Sequence, residues 1–406
     1  MQGRQPLYGV LALFIHCSIS SATYASNAEA AASTLHQWYN ATSGLWDNIF
    51  WWESANSLTT LADLAAIEPN IANVTKSLYS NTLARAPQSN AVMNSGGSGF
   101  LNEYYDDEAW WALAWLQVYN VTGQPEYLQA AVDIFQDLTN GWGSPCGGLW
   151  WDKSHTQENA ITNELFLRVA ARLSNQIPAN QSYYLDWALR EWDFFQTSGL
   201  INVNNTINDG LDLETCQNNN HTVWSYNQGV ILGGLVELNK ASPNVSFITT
   251  AKTIATAAVE TLSDSKGILH ESCDPTCDLT AAQFKGVFMR NLQILQLTAP
   301  EYEYQTFITK NADSIWANDR NDTNNELGSA WSGPFQPANA ATQSAALDAL
   351  VAAAAISAGN QTQPSTGNGT TTSRQGQILQ GGGSNIWTDI MAIVSLLTAF
   401  KFSWIL

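Results

Sequence analysis

"LNEYYDDEAWWALAWLQVY", residues 101–119, sets two adjacent carboxylates, Asp106 and Asp107, in front of a run from Ala109 to Tyr119 that is apolar on nearly every side. A helix without a polar face is one covered on all sides. Residues 229–236, "GVILGGLV", read the same way, whereas 125–139, "PEYLQAAVDIFQDLT", keeps its apolar residues on one stripe, as a helix covered on one side does. Helical patterns recur at 28–40, 57–80, 107–120, 125–139, 158–174, 180–196, 223–240, 246–262, 281–298, 301–318 and 340–357, and convincing alternating strands are few. Buried helices alternating with amphipathic ones predict two concentric rings, an all-α barrel of about a dozen helices. Their spacing is too irregular for a solenoid. No linker-like stretch interrupts residues 26–358, so one domain is expected. The loops "DNIFWWES" (47–54), "NGWGSPCGGLWWDK" (140–153), "NDGLDLETC" (208–216) and "SDSKGILHESC" (263–273) are rich in rings and glycine, a composition suited to lining a cleft at one end of such a barrel.

The balance of 16 Lys and Arg against 35 Asp and Glu, a net charge of −19, speaks against nucleic acid and anionic membrane surfaces as partners. With 17 Trp, 13 Tyr and 14 Phe, the chain has rings to spare beyond its core, and flat rings hold neutral ligands such as sugars. Arg4, the apolar run Leu7 to Ile15 and the small-residue exit at Thr23-Tyr24-Ala25 predict a secretory signal over 1–25. Ten glycosylation sequons agree with export, at Asn40, Asn73, Asn120, Asn180, Asn204, Asn220, Asn244, Asn321, Asn360 and Asn368. Removal of the signal takes Cys17 with it and leaves four cysteines, which predicts two disulfides. Cys273 and Cys277 in "ESCDPTC" are expected to pair locally, leaving Cys146 for Cys216. A metal site reads poorly, because no second CxxC is present and His16, His36, His155, His221 and His270 are scattered; no metal and no cofactor are expected.

After Ala358 the composition changes to a Gly/Ser/Thr/Gln linker over 359–381, followed by a hydrophobic end over 382–406 that Asp389 and Lys401 interrupt. Small residues, a spacer and a hydrophobic end form the pattern of a GPI-attachment signal, with candidate sites among Gly381 to Asn385 or near Asn368; a spanning helix is the other reading.

For the acid pair the plainest explanation is capping: Asp starts helices well, and further acids in the first turn complement the helix dipole. Capping does not explain the company of Tyr104, Tyr105, Trp110 and Trp111. Rings around two carboxyls raise one pKa while hydrogen bonds keep the other low, the division that glycoside hydrolysis requires. Neighbours at a helix N-terminus can reach the short separation of about 5–5.5 Å of a retaining pair, but hardly the wider gap of an inverting one.

"YYDDEAWWALAWLQVY", with "GGLWW" at 147–151, "NAITNELFL" at 159–167, "WSYNQGVILGGL" at 224–235 and "FKGVFMRNL" at 284–292, resembles glycoside hydrolase family 76, the endo-α-1,6-mannanases and the related GPI-anchored cell-wall proteins of fungi. The resemblance covers about residues 28–358. It implies an (α/α)6 barrel and a retaining mechanism in which Asp106 is the nucleophile and Asp107 the general acid/base. It implies mannan or another mannose-containing glycan as substrate, attachment to the membrane through the GPI anchor, and a cell-surface or cell-wall location. If water takes the sugar the protein is a mannan endo-1,6-α-mannosidase; if a β-glucan hydroxyl is the acceptor it is a transglycosidase that cross-links mannoproteins to wall glucan. A noncatalytic glycan-binding wall protein on the same scaffold is the rival reading, and the intact acid pair argues against it.

Tyr105 is counted with the sugar-binding rings. Asn159, Asn163 and Glu164 are polar positions in an otherwise apolar helix, either a satisfied buried network or groups that bind hydroxyls; the resemblance favours the cleft. Tyr226, Asn227 and Gln228 either cap the following apolar helix or hydrogen-bond sugar. Of Trp150 and Trp151, which follow two glycines, one is expected as a stacking platform and the other in the core. Lys285 and Arg290 fit ion pairs as well as ligand contacts, and Trp331 would close the far end of the cleft.

Overall fold

The computed structural model describes residues 23–93 and 97–359, so the expected signal peptide, apart from its exit at Thr23 to Ala25, and the linker and C-terminal attachment signal lie outside the described residues. Thr23 to Ala25 begin the first helix, α1, which runs over 23–36, with Tyr24 buried. A two-stranded antiparallel ribbon follows, β1 (Tyr39–Asn40) and β2 (Leu45–Trp46). The helices after it are α2 (Trp51–Ile67), α3 (Pro69–Met93), α4 (Tyr105–Thr122), α5 (Pro125–Leu138), α6 (Ala160–Gln176), α7 (Gln181–Thr197), α8 (Ser225–Ala241), α9 (Val245–Thr261), the short α10 (Leu279–Ala282), α11 (Phe284–Thr298), α12 (Tyr302–Asn318) and α13 (Ala340–Gly359). The single helix expected over 57–80 is two. Proline disfavours helical backbone in the residue before it, and Glu68 before Pro69 is extended (φ −121°, ψ 93°), so the chain turns there. The pattern at 28–40 likewise ends early, because Tyr39 and Asn40 enter the ribbon.

Helices α2, α4, α6, α8, α11 and α13 form a closed ring: each packs on the next, and α13 packs back on α2. Around them lie α3, α5, α7, α9 and α12, while α1 closes the outer layer through Tyr24 Oη to Asp313 (2.8 Å) and a bond from Gln343 Nε2 to the Ala31 carbonyl (3.0 Å). This is an (α/α)6 barrel, as the sequence leads one to expect. The two helix types differ as predicted. In α4 every residue from Glu108 to Leu116 is buried, while α5 buries Tyr127, Ala131, Ile134, Phe135 and Leu138, one stripe at helical spacing. Trp111 and Trp115 are fully buried, and removing about 200 Å² of ring from water contributes roughly 5 kcal/mol for each. Helix α13 has the length and composition to cross a membrane, yet almost all of it is buried inside the barrel.

Inner helices approach closely where a side chain is missing. A Cβ on Gly286 of α11 would lie 2.4 Å from the Cα of Ala345 in α13, so only glycine permits this crossing. Both expected disulfides are present, Cys146–Cys216 and Cys273–Cys277. The first joins the loop after α5 to the loop after α7. Asn120, Asn180, Asn204, Asn220 and Asn244 are exposed, as glycan acceptors must be.

Candidate active site

The inner helices start at one end of the barrel, and a cleft of about 470 Å³ opens there. It is lined by Trp51 and Trp52 of α2, Asp106, Asp107 and Trp110 of α4, Tyr226 of α8 and Phe284 of α11, together with Phe50, Met93, Tyr104, Trp151 and Thr280. Rings stand in pairs along its walls: Trp52 on Trp110 (5.8 Å between centroids), Tyr104 on Trp151 (4.9 Å) and Tyr226 on Phe284 (3.7 Å). Among the described residues that line it, none is Lys, Arg or His. The helix N-termini around it place positive dipole ends near the two carboxylates.

The pair occupies the first turn of α4, and the two acids are held differently. Asp106 accepts from the Asp107 backbone N–H at Oδ1 (2.9 Å) and from the Trp151 indole N–H at Oδ2 (3.0 Å). Asp107 accepts from the Asn102 amide at Oδ2 (2.7 Å). Both groups face the cleft but are ringed closely by protein, and this desolvation raises both pKa values. For Asp106 the two donors counter it and the pKa settles at about 7. Asp107 is lifted well above the ordinary range, first by desolvation and then by the negative charge of Asp106, with the Asn102 amide opposing. The proton therefore resides on Asp107 when Asp106 is ionised.

A rigid frame sets this difference. The Tyr105 N–H donates to the Trp151 carbonyl (2.9 Å) and the Lys153 N–H to the Glu103 carbonyl (3.0 Å), so residues 103–105 and 151–153 are clamped side by side. Lys153 Nζ ties this clamp to Glu108 (2.8 Å) and Asp137 (2.7 Å). Glu108, fully buried behind the pair, has its pKa pushed up to about 9, chiefly by burial. On the α2 side Glu53 accepts from the Phe50 N–H (2.6 Å), and burial first, then the Asp107 charge among others, pushes it up to about 8.

The structure brings Asp106, Asp107, Trp151 and Tyr226 together and places the other expected contacts elsewhere. Tyr105 is buried, because its ring turns away from the cleft to pack on Gly141 beneath Lys153. Trp150 stacks on His155 (4.6 Å) and does not reach the cleft. Asn159 caps α6 by accepting from the Thr162 N–H. Asn163 accepts from the Leu149 N–H (2.8 Å) and Gln228 brackets Ile207 with two bonds of 2.8 Å, so both amides satisfy loop backbone that would otherwise be buried without partners. Glu164 and Asn227 are fully buried within the helix layers. Asn163 and Gln228 thus brace loops. Lys285 forms an ion pair with Asp274 (2.6 Å) and lies over the Trp331 ring (4.9 Å), which is buried with it. Phe50, Trp51, Trp52, Met93, Thr280 and Phe284 also line the cleft, and only the ring-rich "DNIFWWES" signals the first three in the sequence.

Comparison with known proteins agrees with this geometry. The chain is 28% identical over 191 residues to the mannan endo-1,6-alpha-mannosidase DFG5 of Saccharomyces cerevisiae, a match covering 44% of this chain and 41% of that protein. It is 27% identical over 278 residues to the mannan endo-1,6-alpha-mannosidase DCW1 of Candida albicans, covering 63% of this chain and 60% of the relative. The matches thus span less than two thirds of either relative's length. Its fold is similar to that of an inactive variant of the alpha-1,6-mannanase GH76A of Salegentibacter sp., with two adjacent aspartates replaced by asparagine, in complex with alpha-1,6-mannotriose; the TM-score is 0.69 at 20% identity, over 82% of this chain and 99% of that one. The model of glycosyl hydrolase family 76 matches residues 23–368, which contain the whole barrel and the cleft with its acid pair, and the chain belongs to that family.

Proposed function

We propose that the protein is a retaining mannan endo-1,6-α-mannosidase. The observation that carries this reading is the acid pair itself: two neighbouring carboxyls in a ring-walled cleft without cationic lining, Asp106 accepting from two donors and Asp107 from one. Stacked rings suit the apolar faces of a neutral sugar, and the absence of cationic lining suits a substrate without phosphate or carboxylate. The relatives named as mannosidases and the mannanase that holds mannotriose support α-1,6-linked mannose as the sugar.

In the first step an Asp106 oxygen attacks the anomeric carbon as the glycosidic bond breaks, and Asp107 passes its proton to the departing oxygen, leaving a glycosyl ester on Asp106 and a carboxylate at Asp107. In the second step Asp107 takes a proton from the incoming hydroxyl, whose oxygen bonds to the anomeric carbon and frees Asp106. Water as acceptor gives hydrolysis. On the sequence pattern, residues 1–25 are proposed as an export signal, whose cleavage would remove the first turn of α1 and its Tyr24–Asp313 bond, and 382–406 as a GPI-attachment signal, which would place the barrel at the cell surface.

The test is incubation with an α-1,6-manno-oligosaccharide, with and without a β-glucan acceptor, reading products by mass and the first-formed anomer by NMR. Shortened or transferred sugars of retained configuration, lost in Asp106→Asn and Asp107→Asn, are expected. Inverted product, or activity surviving both substitutions, would overturn the mechanism.

A further inference from the structure

Asn102 is 2% exposed and does not line the cleft, so it cannot reach a bound sugar. It nevertheless makes three bonds at the start of α4. Its backbone N–H donates to Glu108 Oε1 (2.8 Å), its side-chain oxygen accepts from the Tyr104 N–H (2.9 Å), and its side-chain amide donates to Asp107 Oδ2 (2.7 Å). The first two bonds fix the amide, and Glu108 is in turn anchored by Lys153. The third occupies one of the two oxygens of Asp107. Of the two oxygens of a protonated carboxyl the carbonyl oxygen is the stronger acceptor, so the amide N–H favours Oδ2 as the carbonyl and places the proton on Oδ1. The titratable groups facing Asp107 are Asp106 from its own helix and Glu53 from α2; Glu53 Oε2 accepts from the Phe50 N–H and its Oε1 bonds nothing among the described residues, so neither acid donates to Asp107.

We propose that Asn102 is the positioning residue of the general acid: it orients the Asp107 carboxyl and selects Oδ1 as the oxygen that delivers the proton. The inference rests on the reading of Asp107 as the acid. It assigns to a buried amide outside the cleft a role that helix capping alone would not require.

Two substitutions separate that role from the turn Asn102 also makes. Asn102→Asp keeps an oxygen for the Tyr104 N–H, and so preserves the turn, but presents an acceptor to Asp107; Asn102→Ala removes both bonds. Each is compared with wild type on an α-1,6-manno-oligosaccharide, whose departing hydroxyl needs a proton, and on the 2,4-dinitrophenyl glycoside of α-1,6-mannobiose, whose leaving group does not. For the oligosaccharide kcat/KM is expected to fall about 10- to 100-fold in both variants, and for the aryl glycoside less than about threefold. Equal losses on both substrates, or none on either, would overturn the inference. If Asn102→Ala does not fold, Asn102→Asp decides. Wild-type protein inactive on both substrates would instead sink the proposed function. In that case carbon-13 NMR titration of the Asp107 carboxyl decides the matter: Asn102→Ala moves it upward if the amide holds it, and leaves it in place if not.

Discussion

Replacing Trp151 with Phe removes from the cleft the indole N–H that Asp106 Oδ2 accepts at 3.0 Å and keeps a ring, though a smaller one. The ring packing on Tyr104 at 4.9 Å can be kept by a phenyl group, and the Trp151 carbonyl still receives the Tyr105 N–H, so the clamp stays in place. A hydrogen bond to a charged group contributes about 1.5–3 kcal/mol, which corresponds to a loss of roughly 10- to 150-fold in kcat/KM if the bond is retained through the attack. The donor favours the ionised form, so its loss raises the Asp106 pKa from about 7; at 1.36 kcal/mol per unit the rise is roughly 1–2 units. Since the nucleophile must be ionised, the acidic limb of the kcat/KM profile moves to higher pH by that amount, and the optimum narrows from the acid side. Measuring kcat/KM against pH on an α-1,6-manno-oligosaccharide for wild type and Trp151→Phe checks both numbers. An unmoved limb with the loss confined to KM would refute the reasoning and return Trp151 to the role of a sugar-stacking platform.

Gly286→Ala is expected to cost about 3 kcal/mol, or roughly 5 °C in Tm by calorimetry, because its Cβ would meet the Ala345 Cα at 2.4 Å and neither backbone can step aside within the inner ring; an unchanged Tm would mean that α11 and α13 do not cross there. Glu164 and Glu191 are fully buried with no hydrogen-bond donor on any carboxyl oxygen, and burial first, then neighbouring charges, raises both pKa values well above the ordinary range. A carboxyl raised on folding contributes stability that is fully present below its unfolded pKa and is lost as pH climbs through the folded value, at no more than about 1.4 kcal/mol per pH unit per proton. Glu164→Gln should therefore leave Tm unchanged near pH 4 and flatten its fall on the alkaline side. Parallel melting curves for the two proteins would contradict that sign.

Much of the fold was legible because burial writes itself into a helix as periodicity. The all-round apolarity of 109–119 and the single stripe of 125–139 separate inner from outer helices without reference to any neighbour. The break at Pro69 was written in the sequence too, but an unbroken apolar pattern across 57–80 hid it. The candidate site was legible only in part. Rings and acids announce a cleft, whereas a polar residue in an apolar helix reads the same whether it faces ligand or a loop. Asn163 and Gln228 took the second course, since backbone left by their neighbouring loops had to be satisfied.

By itself, then, the sequence determined which helices are covered on every side, which four cysteines could pair, and that two carboxylates would stand among rings at a helix start, since each follows from composition and spacing along one strand of chain. Tertiary structure alone decided which acid is the more readily ionised. That depends on the indole of Trp151, 45 residues along the chain from Asp106, arriving at one of its oxygens, a contact between segments the sequence keeps apart and the barrel brings together, while Asp107 has only the amide of its near neighbour Asn102.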